Sequence, residues 1–380
     1  MNMLERILRL MAERKASDIY LSAHSPVMIR INGICVPINA QVLPATAPLA
    51  LLSEVVPEAR IQELENTGEL NMAVALEGAG NYRISAMRQR GTYAVVVRHI
   101  ASVIPSFADL NLPDILKTLI MDKRGLILMV GATGAGKTTT LASMLDYRNE
   151  LRSGHILTLE DPIEYLFQNK KSIVNQREIG SDASDFATAL RNSMRQAPDC
   201  ILIGEIRDKE TMAAALAYAQ SGHLVLATLH ANNSYNALNR IISFYPIENR
   251  PALLQDLSST VKAIVSQRLV RSANGGTRSA AVEVMVNTRY ISDLIEKGEI
   301  GQIKEAMEKS MSPGSQSFEQ SLLKLVQDGQ VTQDEALANA DSATNLLWLL
   351  NNGPDSKAQA EPETKPPSGE ASFTEFTLNT

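Results

Sequence analysis

The sequence predicts an α/β protein in which a small α+β domain precedes a doubly wound, mainly parallel sheet and a helical C-terminal region. Three observations carry the prediction. Residues 17–38 and 82–100 are β-type runs broken by turn signals. From Gly125 onward, short all-apolar runs alternate with helix-like stretches. A glycine-rich loop joins the first of those runs to the helix after it. A length of 380 residues leaves room for two or three domains, and 44% hydrophobic residues suffice to give each a core.

Taken in order, Leu4, Ile7, Leu8 and Met11 recur at helical spacing between Glu5, Arg6 and Arg9, which predicts an amphipathic first helix. Residues 17–38 are strand-like, with Ser25-Pro26 as a break and Asn32-Gly33 as a hairpin signal. Residues 82–100 alternate apolar positions with Arg83, Arg88, Arg90 and Arg98 around a turn near Arg90-Gly91. These elements make residues 1–100 the first domain. Pro105 and Pro113 discourage continuous helix in the connecting segment 101–124. The runs LILMV, HILTLE, CILIGE and HLVLATLH then read as strands buried on both faces, within a core of about residues 125–270. Residues 280–350 read as helical, with a polar break at Ser310–Ser317, and complete the second domain, 125–350. Residues 351–380 contain four prolines and five acids against two lysines, the composition of a disordered acidic tail.

Charge and cysteine usage exclude several classes. A net charge of −6 offers no basic field to hold nucleic acid by its phosphates, so none is expected as a partner. Cys35 and Cys200 stand alone, without the paired spacing of a zinc site or a disulfide framework, as in a reducing cytoplasm. The N-terminal segment lacks the apolar stretch and cleavage site of a signal peptide, and no run approaches the roughly 18 apolar residues of a membrane span. The expected location is the cytoplasm, with any membrane association supplied by a partner.

The strongest chemical signal is GATGAGKT, which satisfies GxxxxGK[ST] between a strand and a helix. In such a loop, Gly131, Ala132, Thr133, Gly134, Ala135 and Gly136 turn backbone amides toward phosphate oxygens. Lys137 reaches the outer phosphates and Thr138 supplies an oxygen to Mg²⁺, with Thr139 next on the helix. The other reading is a flexible glycine turn. Two acidic groups follow at strand ends. Glu205 closes the run CILIGE where many such proteins have Asp, which makes it the candidate metal support. Glu160, Asp161 and Glu164 follow HILTL; Glu164 would polarise an attacking water while Glu160 and Asp161 hold the metal's water shell. A helix N-terminal acid cluster is the alternative. His223 and His230 bracket one strand. His230, at its C-terminal end, is better placed to contact a phosphate, and two histidines seven apart are not a zinc set.

The ordered series GATGAGKTTT, TLEDPIEY and RQAPDCILIGEIRDKETMAAALAYAQSGHLVLATLHANN resembles the Walker A, Asp-box, Walker B and His-box motifs of the secretion-type ATPases, and among these the PilT/PilU-type retraction ATPases of type IV pili. The likeness runs from residue 17 to about 340. It implies a PAS-like N-terminal domain, a RecA-like ATPase domain, ATP and Mg²⁺ as ligands, and a homo-hexameric ring. It also implies a PilT-like paralogue and an inner-membrane pilus platform protein as partners. It assigns Lys137 and Thr138 to phosphate and metal, Glu164 to water, Glu205 to Walker B, and His230 to the His box. Arg83 and Arg98 become arginine fingers on ATP in an adjoining ATPase domain, their alternative being solvated strand charge.

Two departures point to the accessory PilU branch. The PilT branch carries a motif close to AIRNLIRE where residues 290–297 read YISDLIEK, and the acidic tail extends past the usual end. The rival readings are an export or assembly ATPase of a related secretion system, a nucleotide-binding adaptor ring without turnover, and a DNA translocase. The first usually needs a tetracysteine zinc insert, the second leaves Lys137, Glu164 and Glu205 without a purpose, and the third lacks a basic stripe.

Overall fold

In the computed structural model, which describes residues 2–14, 16–31, 34–76, 80–100, 103–309 and 312–352, the alternating N-terminal runs pair into a six-stranded antiparallel sheet. Its strands are β1 Asp18–Ser22, β2 Pro26–Ile31, β3 Ile34–Val42, β4 Glu69–Leu76, β5 Gly80–Gln89 and β6 Thr92–Ile100, in the order β3-β2-β1-β6-β5-β4. Asn32-Gly33 lies outside the described residues, but Ile31 and Ile34 on either side of it are paired. Arg90 and Gly91 both have positive φ, 46° and 74°, and join β5 to β6 in a tight turn. One face buries Ile19, Leu21, Tyr82, Ile84 and Val97 against Leu4, Leu8 and Met11 of α1 Met3–Glu13 and against α2 Ala47–Ser53 and α3 Glu58–Thr67. The Tyr82 hydroxyl donates to the Leu8 carbonyl at 2.9 Å, which satisfies a buried polar group inside that core. Arg83 and Arg98 are direct cross-strand neighbours.

The second sheet has seven strands: β7 Gly125–Val130, β8 Gly154–Glu160, β9 Ser172–Glu178, β10 Cys200–Ile203, β11 Leu224–Leu229, β12 Val261–Arg271 and β13 Arg278–Val286. Their order is β13-β12-β7-β11-β10-β8-β9, parallel except for β13. The strand β7 is buried throughout because both faces are covered. Leu126, Leu128 and Val130 join one core with α6 Phe186–Ser193, α7 Lys209–Gln220, α8 Ser234–Ser243 and α9 Arg250–Thr260, while Ile127 and Met129 join another with α4 Ile115–Ile120 and α5 Lys137–Leu151. The chain therefore has an α/β fold with helices on both sides of a mainly parallel sheet.

Residues 278–286, expected to be helical from 280, form a strand. Glu283 interrupts the apolar pattern of that stretch, yet it is buried. Its carboxylate accepts from Ser234 N–H at 2.7 Å and the Ser266 hydroxyl at 2.8 Å, and burial pushes its pKa up. After α10 Arg289–Glu296 and α11 Ile303–Glu308, the helices α12 Phe318–Gln327, α13 Gln333–Asn339 and α14 Ala343–Asn352 close a smaller core. There Phe318, Leu322 and Leu346 meet Val270 and Ala281 of β12 and β13. Asn351 and Asn352 end the last helix, where the sequence suggests that the tail begins, and the rest of the tail lies outside the described residues.

The segment before β7 is locked to α5 by Arg148. Its side chain is buried and donates from Nη1 to the carbonyls of Ile120 at 2.6 Å and Asp122 at 2.9 Å. Arg148→Ala should lower stability by about 3 kcal/mol, because two carbonyls lose a charged donor. The urea unfolding midpoint checks this, and an unchanged midpoint would show that water replaces the guanidinium.

Candidate active site

The loop between β7 and α5 lies at the C-terminal end of the parallel strands, where open α/β sheets form their binding crevice. Its shape follows from one close approach. Gly131 and Gly136 have φ of 152° and 82°. A Cβ on Gly131 would stand 2.6 Å from the Gln267 carbonyl oxygen, and one on Gly136 would stand 2.8 Å from Gln267 Nε2. Gln267, on β12, is buried. It donates from Nε2 to the Ala135 carbonyl at 2.8 Å and accepts the Thr140 hydroxyl at 2.7 Å. The sequence did not single out Gln267, although a glycine at each end of the loop was a sign that backbone comes close there.

Lys137, the first residue of α5, folds its ammonium back onto the loop and donates to the carbonyls of Gly131 at 2.9 Å and Ala132 at 3.0 Å. Burial pushes its pKa down, opposed by Glu205 and Glu164. A cleft of about 510 Å³ opens in front of it, lined by the loop and helix start from Thr133 to Thr139, by Glu160, Asp161 and Glu164, and by Glu205 and His230. Gly131 and Ala132 line an adjoining cavity of about 340 Å³. Apart from His223, every predicted site residue of the ATPase segment thus borders one of these two cavities, which share Thr133, Gly134 and Ala135 in their walls. Leu269 and Arg278, from β12 and β13, border both cavities and were not foreseen, because neither stretch was recognised as a strand.

The carboxylates differ in setting. Glu160 ends β8 and is buried. It accepts the Thr158 hydroxyl at 2.6 Å and Gln176 Nε2 at 3.2 Å, and desolvation pushes its pKa up. Asp161 and Glu164 are exposed at the cleft mouth. Glu205 pairs with Arg207 Nε at 2.7 Å and lies 3.2 Å from His230 Nε2, so the histidine is already in contact with the strand-end acid. Backbone amides, one lysine and oxygen ligands facing one space suit a nucleotide polyphosphate. They also suit a hard cation such as Mg²⁺, which is bound through one or two carboxylates together with substrate phosphates. Among the described residues no cluster of three His, Cys, Asp or Glu side chains forms a metal site of its own.

Three candidates stand elsewhere. His223 is at the opposite end of β11, with Nδ1 3.0 Å from the Ser221 hydroxyl and 3.1 Å from the Tyr218 carbonyl, so its partners are structural. Arg98 pairs with buried Asp18 at 2.9 Å. Arg83 reaches the Ile163 carbonyl at 2.7 Å. Neither arginine borders the cleft of its own chain.

The sheet order and the glycine loop with its lysine define a P-loop nucleotide-binding protein. The chain belongs to the family described as Type II/IV secretion system protein, which matches residues 1–298. It is 44% identical over 354 residues, 93% of each chain, to the type IV pilus ATPase PilU of Pseudomonas aeruginosa. It is 36% identical over 340 residues to PilT, the type IV pilus retraction ATPase of the same organism, covering 90% of this chain and 98% of PilT. A crystal structure of the pilus retraction motor PilT with bound ADP superposes with a TM-score of 0.84 at 39% identity, covering 90% of this chain and 98% of that one. Residues 290–297, which depart from AIRNLIRE, still bury Ile291, Leu294 and Ile295 on α10. No described helix is long and apolar enough to cross a membrane.

Glu160 generates a pH prediction. Its raised pKa means that the folded state favours the protonated form, so its stability contribution is present at low pH and is lost as pH rises through that pKa. Glu160→Gln, whose amide oxygen can still accept from Thr158 and Gln176, should raise the melting temperature of nucleotide-free protein more at about pH 8 than at about pH 5. Equal shifts at both values would show that Glu160 is not held against its charge.

Proposed function

We infer that the chain is an ATP-hydrolysing motor subunit that supports type IV pilus retraction and hence twitching motility. One observation carries this reading: the phosphate loop, the two strand-end acidic groups and His230 share a single cleft, in a chain matched along nine-tenths of its length by pilus ATPases. The N-terminal sheet corresponds to a PAS-like domain and the second sheet to a RecA-like one.

Each residue then has a task. Lys137 exchanges the loop carbonyls for the β- and γ-phosphates of ATP, and the loop amides cradle the same oxygens. The Thr138 hydroxyl and Glu205 would hold Mg²⁺, with Glu160 and Asp161 placed to order its water; bound there, the ion would neutralise phosphate charge. Glu164, on the exposed loop, orients and polarises the attacking water. His230, in contact with Glu205, is placed to sense loss of the γ-phosphate. Six chains form the ring, in which the exposed Arg98 is offered to the ATP of an adjoining chain. A PilT-like paralogue and an inner-membrane platform protein are the proposed partners, and through them the cytoplasmic ring meets the pilus base.

Lys137→Ala should abolish ATP turnover, since no other described lysine borders the cleft. Glu164→Gln should retain ATP affinity and lose about a hundredfold or more in turnover, the usual scale for removing a general base. A phosphate-release assay and a nucleotide-binding titration on the full chain check both. Cells carrying either variant as the sole copy should show reduced pilus retraction, and wild-type turnover by Lys137→Ala would remove the assignment.

A further inference from the structure

Arg83 is turned toward its own chain. Its side chain is only 17% exposed, on β5 where that strand faces the second sheet. From Nη2 it donates to the Ile163 carbonyl at 2.7 Å and lies 4.0 Å from Glu178 Oε2. The same Glu178 oxygen accepts the Ile163 N–H at 3.1 Å, so both polar groups of this residue are held in one closed triangle. The next residue is Glu164. Beyond it, the Tyr165 carbonyl accepts from Gln176 Nε2 at 2.8 Å and the Tyr165 hydroxyl lies 3.0 Å from the Thr139 hydroxyl. The exposed Glu164 is therefore fixed from both flanks: by β9 and α5 on one side, and on the other by β9 together with a strand of the N-terminal sheet.

A cavity of about 480 Å³ adjoins this contact, with Met72 and Val74 of β4 on one wall and Ile163, Ser181 and Asp182 on the other. The two sheets are thus incompletely packed beside the triangle, and Arg83 is a discrete connection across the gap. Burial pushes its pKa down, with Glu178 and Glu164 opposing that effect.

We propose that Arg83 is a positioning residue acting within its own chain: by clamping Ile163 with Glu178 it sets Glu164 over the cleft and makes hydrolysis depend on how the N-terminal sheet is seated. This rests on the ATPase reading of the cleft. It differs from an arginine finger, which would touch ATP held by a neighbour.

ATP turnover by the full chain provides the test. Arg83→Ala should lower kcat about tenfold while KM stays within about twofold, the pattern of a group that acts only on the chemical step. Arg83→Lys, which keeps one donor for the carbonyl, should recover part of the loss. Glu178→Gln should also lower kcat, and the double variant should be no worse than Arg83→Ala alone, because the two act through one contact; additive losses would overturn the clamp. Co-expressing Arg83→Ala and Lys137→Ala chains under two different tags, and purifying through both, separates the clamp from a finger. A clamp leaves no subunit with both an intact Glu164 position and an intact phosphate lysine, so turnover stays at the level of the Arg83→Ala subunits. Recovered turnover would mean that Arg83 of one chain serves the ATP of another and would overturn the proposal. Chains that never co-purify count against the ring, and the Glu178 cycle then decides the clamp. Wild-type turnover by Glu164→Gln would instead remove the reading on which the clamp rests.

Discussion

The whole site depends on the contact between Gln267 and the phosphate loop. A buried amide must satisfy its donor and its acceptor, and Gln267 does so with the Ala135 carbonyl and the Thr140 hydroxyl, one on the loop and one on the first turn of α5. That pairing draws β12 against the loop so closely that only glycine fits at 131 and 136. The sheet order is what makes it possible. β12 lies beside β7 with Ser266 opposite Val130, so the next residue on β12 arrives where the loop leaves β7. Loop shape, lysine direction and cleft thus follow from one strand neighbour.

The second half of the site is organised by β9 in the same manner. β9 runs parallel to β8 with Gln176 opposite Thr158 and Glu178 opposite Glu160. From there Gln176 reaches Glu160 and the Tyr165 carbonyl, while Glu178 reaches Ile163 N–H. An exposed acidic loop would sample many arrangements by itself; bonds from an edge strand restrict it at both flanks of Glu164. The electrostatic balance is local too. Burial pushes the Lys137 pKa down, and Glu205 and Glu164, the acids that face it across the cleft, oppose that effect.

Much of this was legible in the residues, and the strands missed in the second sheet share a cause. Strands at the centre of the second sheet, such as β7 and β11, are apolar on every position because both faces are covered, and they stand out. The phosphate loop and the acids at the strand ends were found for the same reason, since each follows such a run. The strands β9, β12 and β13 were missed because they carry Gln176, Glu178, Gln267 and Glu283 among their apolar residues. Those interruptions are the side chains that hold the loop, the acid segment and the His-box helix. Polar residues that shape a site from beneath blur the pattern by which their strands are recognised. Arg83 was found as a charge on a strand, but its target is 80 residues away in sequence and no local pattern encodes it.

The same reasoning links the cleft to the end of the described chain. Arg268, one residue past Gln267, leaves β12 on the other side and places its guanidinium 3.9 Å from the Phe318 ring centre. It donates to the Asn339 carbonyl at 2.6 Å and the Asn232 carbonyl at 3.2 Å, and pairs with Asp341. Asp341 in turn accepts Asn233 Nδ2 at 3.0 Å. Asn232 and Asn233 are the residues that lead from His230 into α8, whose first N–H is held by Glu283. The loop carrying His230, the helices α12 and α13 and the turn before α14 are therefore joined in one network around Arg268. Because removing a member would leave buried partners unsatisfied, that loop cannot shift without moving the C-terminal helices or breaking charged hydrogen bonds. Neighbouring residues of β12 thus serve two ends of the molecule: Gln267 fixes the phosphate loop, and Arg268 fixes the segment that follows the histidine.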